Sequence, residues 1–305
     1  MNILQFTKII AISIMIASCS ENNKNTINHV SGFYERCDLL TKFEISNNND
    51  TIIYGKQGTK LFIPKNSFKQ RNIEIQLLEF YDMVDMLFYG LTTNHENGIL
   101  VSGGMIHISA LNNNKNVNMI KDKHFKIYFK TEFLENSMKP FIGNITKNKI
   151  STKENFIWKD TDDIIEIYDH YLYVLAGKDT LDKFPDLESM FFRSKSLNWI
   201  NVDKMFEFRG DKGELTIKIK TDNNPIVRVL FRNRRTILSG LKNNNEYVFD
   251  NLPVGDSIKL VAFNRIDNNL YWSCKDMVVT NNEIVYLALD NMSIEKIKED
   301  LIDIK

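Results

Sequence analysis

Ile73-Glu74-Ile75-Gln76-Leu77 is the segment whose pattern indicates the fold class of this chain most clearly. Apolar side chains alternate with polar ones along it, which is the pattern of a β-strand with one buried face and one solvated face. The same period of two returns in 125–130 and in 215–220. Clusters of asparagine and aspartate, such as 112–114 and 267–269, separate the alternating runs and are typical of turns. Short alternating strands with turns between them predict an all-β chain built from antiparallel sheets.

The length of the chain and the distribution of its strand patterns predict two β-sandwich domains. We expect the N-terminal sandwich over 45–135 and the second sandwich over 205–292. The intervening residues, 136–204, are the least regular. We expect them to form a connector that carries a hairpin and a short helix, the helix beginning near Pro185.

The C-terminus, 293–305, is predicted to be a short helix. Ser293 is placed to cap its first turn, and Glu295 lies within that turn. The apolar residues that follow recur every three or four positions: Ile294, Ile297, Leu301 and Ile304. This spacing gives the helix one apolar face, which we expect to pack on a sheet.

The N-terminus has the pattern of a lipoprotein signal peptide. An apolar run over 9–17 follows Lys8, and it is too short for a bilayer core ~30 Å thick, which needs ~20 apolar residues. The order Ile16-Ala17-Ser18-Cys19 resembles the bacterial lipobox, in which a peptidase cuts before the cysteine and the cysteine is lipidated. We therefore expect removal of 1–18, acylation of Cys19, and a tether over 19–44 between membrane and first domain.

The polar residues after Cys19 are relevant to the side of the membrane on which the chain lies. Some Bacteroidota lipoproteins carry an acidic run at this place, which directs them to the cell surface, and here only Glu21 is acidic within 20–28. We expect a protein anchored by lipid in the bacterial cell envelope, at the outer membrane. The sequence leaves open whether the chain faces the periplasm or the cell surface.

Composition argues against several partners and cofactors. The 39 basic and 39 acidic residues give a net charge of zero, which does not favour binding to nucleic acid. The five histidines lack the HxH or HExxH spacing of a zinc site, and no phosphate-binding or serine-hydrolase motif is present. We expect no metal, no cofactor and no enzymatic activity. Besides Cys19, only Cys37 and Cys274 remain, and they either form a disulfide in an oxidising envelope or stay as free thiols.

Segments along most of the chain resemble a group of Bacteroidota envelope lipoproteins. The sequences of 58–68 (GTKLFIPKNSF) and 103–108 (GGMIHI) are similar to a domain that looks like the β-sandwich of ankyrins and netrin receptors. The segment 197–206 (LNWINVDKMF) is shared with the same group, although Val202 stands where relatives often have a cysteine. The segment 249–256 (FDNLPVGD) resembles the signature of carboxypeptidase-regulatory-like, transthyretin-like sandwiches.

The resemblance implies a non-enzymatic binding or scaffold module, because both sandwich types usually serve as interaction platforms. The partner would be an envelope protein or a glycan. The alternative is an envelope hydrolase or a self-processing protein. Some relatives of the ankyrin-type sandwich cut themselves at a His-Phe-Ser step, and this chain has His107-Ile108-Ser109 at that place. The carboxylates of Asp160, Asp162 and Asp163 are the other candidate catalytic groups.

Four aromatic residues in the irregular segment are the candidate partner-binding residues: Trp158, Tyr168, Tyr171 and Tyr173. Side chains two apart in a strand point the same way, so Tyr171 and Tyr173 share a face, and Tyr168 could pair with them across a hairpin. Aromatic side chains stack on sugars and anchor protein partners. The alternative is that these rings fill an interface between the two domains.

Overall fold

The computed structural model describes the residues 37–121, 123–129, 132, 135, 137–147, 154–161, 165–166, 191–194, 197–220, 224–243, 246–267 and 269–304. The expected signal peptide over 1–18, Cys19 and the helix expected near Pro185 lie outside the described residues. Within them, neither α-helix has the length and hydrophobicity that crossing a bilayer requires.

Strands dominate the described residues, as predicted for an all-β chain. In chain order they are β1 Thr41–Ser46, β2 Thr51–Tyr54, β3 Lys60–Ile63, β4 Asn72–Phe80, β5 Asn94–His95, β6 Gly98–Asn112, β7 Lys115–Asn116, β8 Phe125–Tyr128, β9 Lys139–Lys147, β10 Glu154–Asp160, β11 Ile165–Glu166, β12 Phe191–Ser194, β13 Trp199–Met205, β14 Lys212–Ile219, β15 Ile226–Phe231, β16 Ile237–Ser239, β17 Leu241–Asn243, β18 Glu246–Pro253, β19 Ser257–Ile266, β20 Asn269–Val278, β21 Glu283–Leu287 and β22 Asp290–Asn291. The α-helices are α1 Met83–Tyr89 and α2 Ile294–Asp300, and a 3-10 turn spans Cys37–Leu39.

The first sandwich packs an eight-stranded sheet on a five-stranded sheet. The larger has the order β1-β4-β6-β13-β9-β10-β5, with β7 attached to β6, and the smaller has the order β11-β12-β8-β3-β2. The apolar residues of 73–77 point into the core between the two sheets. There Ile75 lies opposite Phe43 of β1 and Ala110 of β6. Strand β5 also pairs with β6, so the larger sheet curls back on itself.

The prediction of an irregular connector over 136–204 is wrong. Strands β9, β10 and β13 all lie in the larger sheet, and β13 pairs with β6 on one side and with β9 on the other. All residues of the run 199–203 are buried, so the polar side chains of Asn201 and Asp203 lie in the core, although they alternate with Ile200 and Val202 in the sequence as a strand with one solvated face would. The expected tether, 19–44, is also too long, because β1 begins at Thr41.

The second sandwich packs a sheet of order β17-β18-β14-β21 on a sheet of order β16-β15-β19-β20-β22. Leu215, Ile217 and Ile219 alternate with polar residues along β14 and point into the core, where they form one cluster with Val229 and Leu260 of the facing sheet. Strand β21 lies at an edge and runs parallel to β14.

The predicted C-terminal helix is confirmed as α2. The Ser293 hydroxyl accepts a hydrogen bond from the Lys296 N–H at 3.4 Å, which caps the first turn. Ile297, Leu301 and Ile304 are buried, whereas Ile294 is half-buried. The helix lies against the second sandwich, where the Trp272 Nε1–H donates to Asp300 at 3.0 Å.

Helix α1 was not predicted. Asp82 caps it by accepting hydrogen bonds from the N–H groups of Val84 and Asp85 at 2.7 and 3.1 Å, and Gly90 ends it in the left-handed conformation. Five of its seven residues are buried. Such a short and nearly uniformly apolar segment has no helical periodicity to detect.

The glycine–threonine motif near residue 58 ties the two sheets of the first sandwich together. The Glu79 carboxylate, on β4, accepts hydrogen bonds from the backbone N–H groups of Thr59 and Gln57 at 2.9 and 3.1 Å. Glu79 is only 1% exposed. A Cβ at Gly55 would collide with this carboxylate, so glycine is required where the turn closes over it. The motif therefore has an architectural role.

A third apolar cluster joins the two sandwiches. It contains the buried face of α1, the indole rings of Trp158 and Trp199 from the first sandwich, and Phe263 and Trp272 from the second. The buried residues of α2 belong to the same cluster. The two sandwiches are therefore packed on each other through a continuous apolar core.

Candidate functional site

A turn of the second sandwich forms polar contacts with the first. It connects β15 to β16 and has the sequence Arg232-Asn233-Arg234-Arg235. The Arg235 guanidinium donates to the carbonyl of Ser102 at 3.0 Å and to the carbonyl of Tyr81 at 2.6 Å. The Ser102 N–H in turn donates to the Arg235 carbonyl at 2.9 Å. These bonds fix both the backbone and the side chain of Arg235 against β6.

The residues after this turn extend the junction. The Thr236 hydroxyl donates to the Leu100 carbonyl at 2.8 Å. The Thr93 N–H donates to the Ile237 carbonyl at 2.7 Å. Thr236 and Thr93 are both fully buried, so these bonds are shielded from water. The turn therefore projects from a rigid junction.

A cleft of about 550 Å³ opens beside the turn, between the two sandwiches. This volume lies within the range of small-molecule sites, ~300–1,000 Å³. Its charged lining residues come from both sandwiches and are Glu132, Glu135, Lys204, Arg234 and Arg235. The remaining lining residues are Val101, Ser102, Met138, Phe206 and Asn233.

Arg234 is held in a fixed position on the cleft wall. Its guanidinium lies 3.8 Å from the centre of the Phe206 ring and 5.0 Å from that of Phe231. Its Nη2 pairs with the Asp256 carboxylate at 2.5 Å, whereas its buried Nη1 has no hydrogen-bond partner among the described residues. Burial lowers the pKa of Arg234, and the Asp256 carboxylate opposes this change. The side chain is thus an ordered cation with one unused donor.

The other charges of the cleft are of both signs. Lys204 pairs with Glu135 at 2.5 Å, and both side chains are partly exposed. Burial lowers the pKa of Arg235, and the nearby carboxylates, Glu132 among them, oppose this change. Cations and carboxylates therefore both line the opening, and this composition suits a ligand that has both hydrogen-bond donors and acceptors.

A buried carboxyl group, Asp203, neighbours the cleft. It is fully buried on β13, beside a bulge in the pairing with β6, and accepts a hydrogen bond from the Asn201 amide. Burial raises the pKa of Asp203 well above its usual range, and the hydrogen bond from Asn201 and the charge of Arg235 offset this only in part. Its Oδ1 has no hydrogen-bond partner among the described residues. Burial therefore favours the protonated form of Asp203.

The prediction that Trp158 binds a partner is wrong. Its side chain is completely buried, its Nε1–H donates to the Thr92 carbonyl at 2.6 Å, and its ring packs edge-on against Phe156. The aromatic count of a segment does not reveal which rings are buried, and Trp158 belongs to the core that joins the sandwiches. The other three candidates, Tyr168, Tyr171 and Tyr173, lie outside the described residues.

The candidate self-processing residues lie within a regular part of β6, away from the cleft lining. The His107 ring packs on Trp199, with 4.8 Å between ring centres, and the Ser109 hydroxyl donates to the Gln76 side chain at 3.4 Å. His107 and Ser109 are both buried, and their pairing with β4 continues without a register shift.

The acidic cluster is described only at Asp160, since Asp162 and Asp163 lie outside the described residues. Asp160 forms an ion pair with Lys139, and its carboxylate lies 3.6 Å from Nε2 of His95. The hydrogen bond from Lys139 is the main cause that lowers the pKa of Asp160. Among the described residues, no three side chains are grouped as metal ligands.

Cys274 is a free and half-buried thiol. Burial raises the pKa of this thiol, and the nearby Asp300 carboxylate acts in the same direction. A raised pKa lowers the fraction of thiolate, which is the reactive form. The side chain of Cys37 lies outside the described residues.

The cleft residues were missed from the sequence, although one signal was present. Three arginines within 232–235, in a turn between two alternating runs, form a local basic cluster that charge patterning can detect. No local signal links this turn to Lys204 or Glu135, because only the packing of the two sandwiches brings them together.

Comparison of the chain with protein-family models, with curated proteins and with solved structures finds no match in any of the three. The resemblance to envelope lipoproteins therefore rests on the quoted segments alone and stays a prediction.

Proposed function

We propose that this chain is a lipid-anchored protein of the bacterial envelope that binds a polar partner in the cleft between its two sandwiches. The anchor is argued from the apolar run over 9–17 and the lipobox order that ends at Cys19. One observation supports the binding site. It is a cleft of about 550 Å³ with charged residues from both sandwiches around it.

The chemistry of the cleft favours a glycan or a peptide as the partner. Both ligands present donors and acceptors together, and the cleft offers an arginine, a lysine, an amide and carboxylates within one opening. Arg234 and Arg235 are already ordered by rings and carbonyl groups, so a ligand would lose little free energy in fixing them.

Binding is favoured over catalysis by the state of the charged groups. Lys204 and Arg234 are each neutralised by a carboxylate, whereas general acid–base chemistry needs an accessible group with a shifted pKa. Asp203 has a strongly raised pKa, but its side chain is completely buried. The cleft is accordingly organised to hold a polar ligand.

Site-specific crosslinking in cells tests the proposal. A photo-crosslinking residue is introduced in place of Asn233, which is exposed and lines the cleft. The full chain should then form a discrete adduct with a protein or a glycan. The control places the same residue at Tyr54, an exposed position that does not line the cleft. Absence of an adduct at 233, or the same adduct from both positions, would contradict binding in the cleft.

A further inference from the structure

The outer face of the four-stranded sheet in the second sandwich exposes three large apolar side chains. Leu241, Val248, Thr216 and Ile284 lie in register across the four strands β17, β18, β14 and β21. Leu241 is 68% exposed and Ile284 is 54% exposed. Tyr286 lies on the same face of β21 and is 67% exposed. Three of the six exposed large apolar side chains of the described residues are thus on this one face.

The strand at one edge of this sheet is open. Strand β21 pairs with β14 on one side, and no described strand pairs with it on the other. Proteins usually protect such edges with lysine, proline or a β-bulge, because unpaired backbone groups accept another strand. The sequence of β21, Glu283-Ile284-Val285-Tyr286-Leu287, has neither lysine nor proline, and its pairing with β14 has no register shift. The edge therefore remains suited to pairing.

The sequence of β21 is complementary to itself. In antiparallel pairing about a two-fold axis at Val285, Ile284 of each copy lies opposite Tyr286 of the other copy. Aliphatic–aromatic pairs of this kind stabilise adjacent strands, and the arrangement forms two of them on the exposed face. Glu283 lies opposite Leu287, so the acidic residue does not face its own copy. The net charge of zero adds no general repulsion between copies.

We propose that β21 pairs with β21 of a second copy of this chain, so that two second sandwiches share one continuous sheet. The contact uses the same strand on both copies and closes after two, which gives a symmetric dimer. Pairing covers Ile284 and Tyr286 and satisfies the outward backbone groups of both edges. Leu241, at the opposite edge of the sheet, stays outside the contact.

Crosslinking of the full chain in cells tests the dimer. A photo-crosslinking residue in place of Tyr286 should give an adduct of twice the mass of the chain. When two differently tagged copies are co-expressed, that adduct should carry both tags. The same residue at Tyr54, an exposed tyrosine of the first sandwich, should give no dimer adduct.

Two exposed substitutions separate the edge contact from a general effect of surface charge. In the chain that carries the crosslinking residue at position 286, Ile284→Lys should reduce the dimer adduct by about fivefold or more, because it replaces the aliphatic side chain opposite position 286 in both cross-strand pairs. Leu241→Lys, on the same outer face but at the far edge, should leave the adduct unchanged. The proposal is overturned if position 286 gives no dimer adduct or crosslinks a different protein instead. Equal adducts at 286 and 54, or an unchanged adduct in Ile284→Lys, also overturn it.

Discussion

The Glu79 carboxylate is expected to be among the most important single side chains for the stability of the first sandwich. Glu79→Ala removes the acceptor of two backbone N–H groups, at 2.9 Å from Thr59 and 3.1 Å from Gln57, in a site where Glu79 is 1% exposed and Thr59 is fully buried. Hydrogen bonds to a charged group contribute ~1.5–3 kcal/mol each, so the two together predict a loss of about 3–6 kcal/mol in the free energy of unfolding.

A matched control lies on the same strand. Glu74 is half-buried, and its carboxylate accepts one hydrogen bond from the Gln76 side chain at 2.6 Å and lies 3.7 Å from the Lys42 ammonium, so Glu74→Ala should cost about half as much, ~1.5–3 kcal/mol. Urea denaturation measures both variants through tryptophan fluorescence, since the three tryptophans are buried and change environment on unfolding. Equal losses of stability in the two variants would refute the argument that the carboxylate holds the turn over 55–59.

Two further predictions concern buried groups. Trp158→Phe should lower the free energy of unfolding by ~1–3 kcal/mol, because it removes the hydrogen bond to Thr92 and part of the ring volume. The crosslink from position 233 should remain. If that crosslink is lost while the melting temperature is unchanged, Trp158 is a binding residue after all. The pKa of Asp203 is higher in the folded protein than in the unfolded chain, so the bound proton stabilises the folded state. This contribution is fully present below the unfolded pKa of ~3.9 and is lost as pH rises through the folded pKa. Asp203→Asn should therefore weaken the fall in stability as pH rises above about 4, measured by urea denaturation across pH, and an unchanged pH profile would show that Asp203 is ionised in the folded protein.

The parts of the fold that alternate along the sequence could be predicted from it. The strands around Ile75 and Ile217 and the helix capped by Ser293 have a clear hydrophobic period in the sequence, and all three elements are present in the structure. The second face of the strand around Ile75 is also largely buried, which its polar residues did not indicate. Strand β13 was not placed in the first sandwich, because the alternation of Ile200 and Val202 with polar residues does not show that this segment pairs with β6 and β9. The extent of the first sandwich was underestimated for that reason.

The candidate site was less predictable than the fold. Its charges come from positions near 132–135, from Lys204 and from 232–235, and nothing local in the sequence indicates that these meet. The aromatic residues were easier to notice, but burial decides their role, and Trp158 proved to be core. The charged residues of the cleft are brought together only by the packing of the two sandwiches, so the sequence alone does not indicate that they form one site.

Lipid labelling of Cys19 tests directly whether this chain is anchored to the membrane by a lipid. Cells that express the full chain are grown with a labelled fatty acid, and the chain is recovered from membrane and soluble fractions. We expect a labelled, membrane-bound chain for the unmodified sequence, and an unlabelled chain that leaves the membrane fraction for Cys19→Ala. Label and membrane retention that persist in Cys19→Ala would contradict a lipid-anchored protein of the envelope.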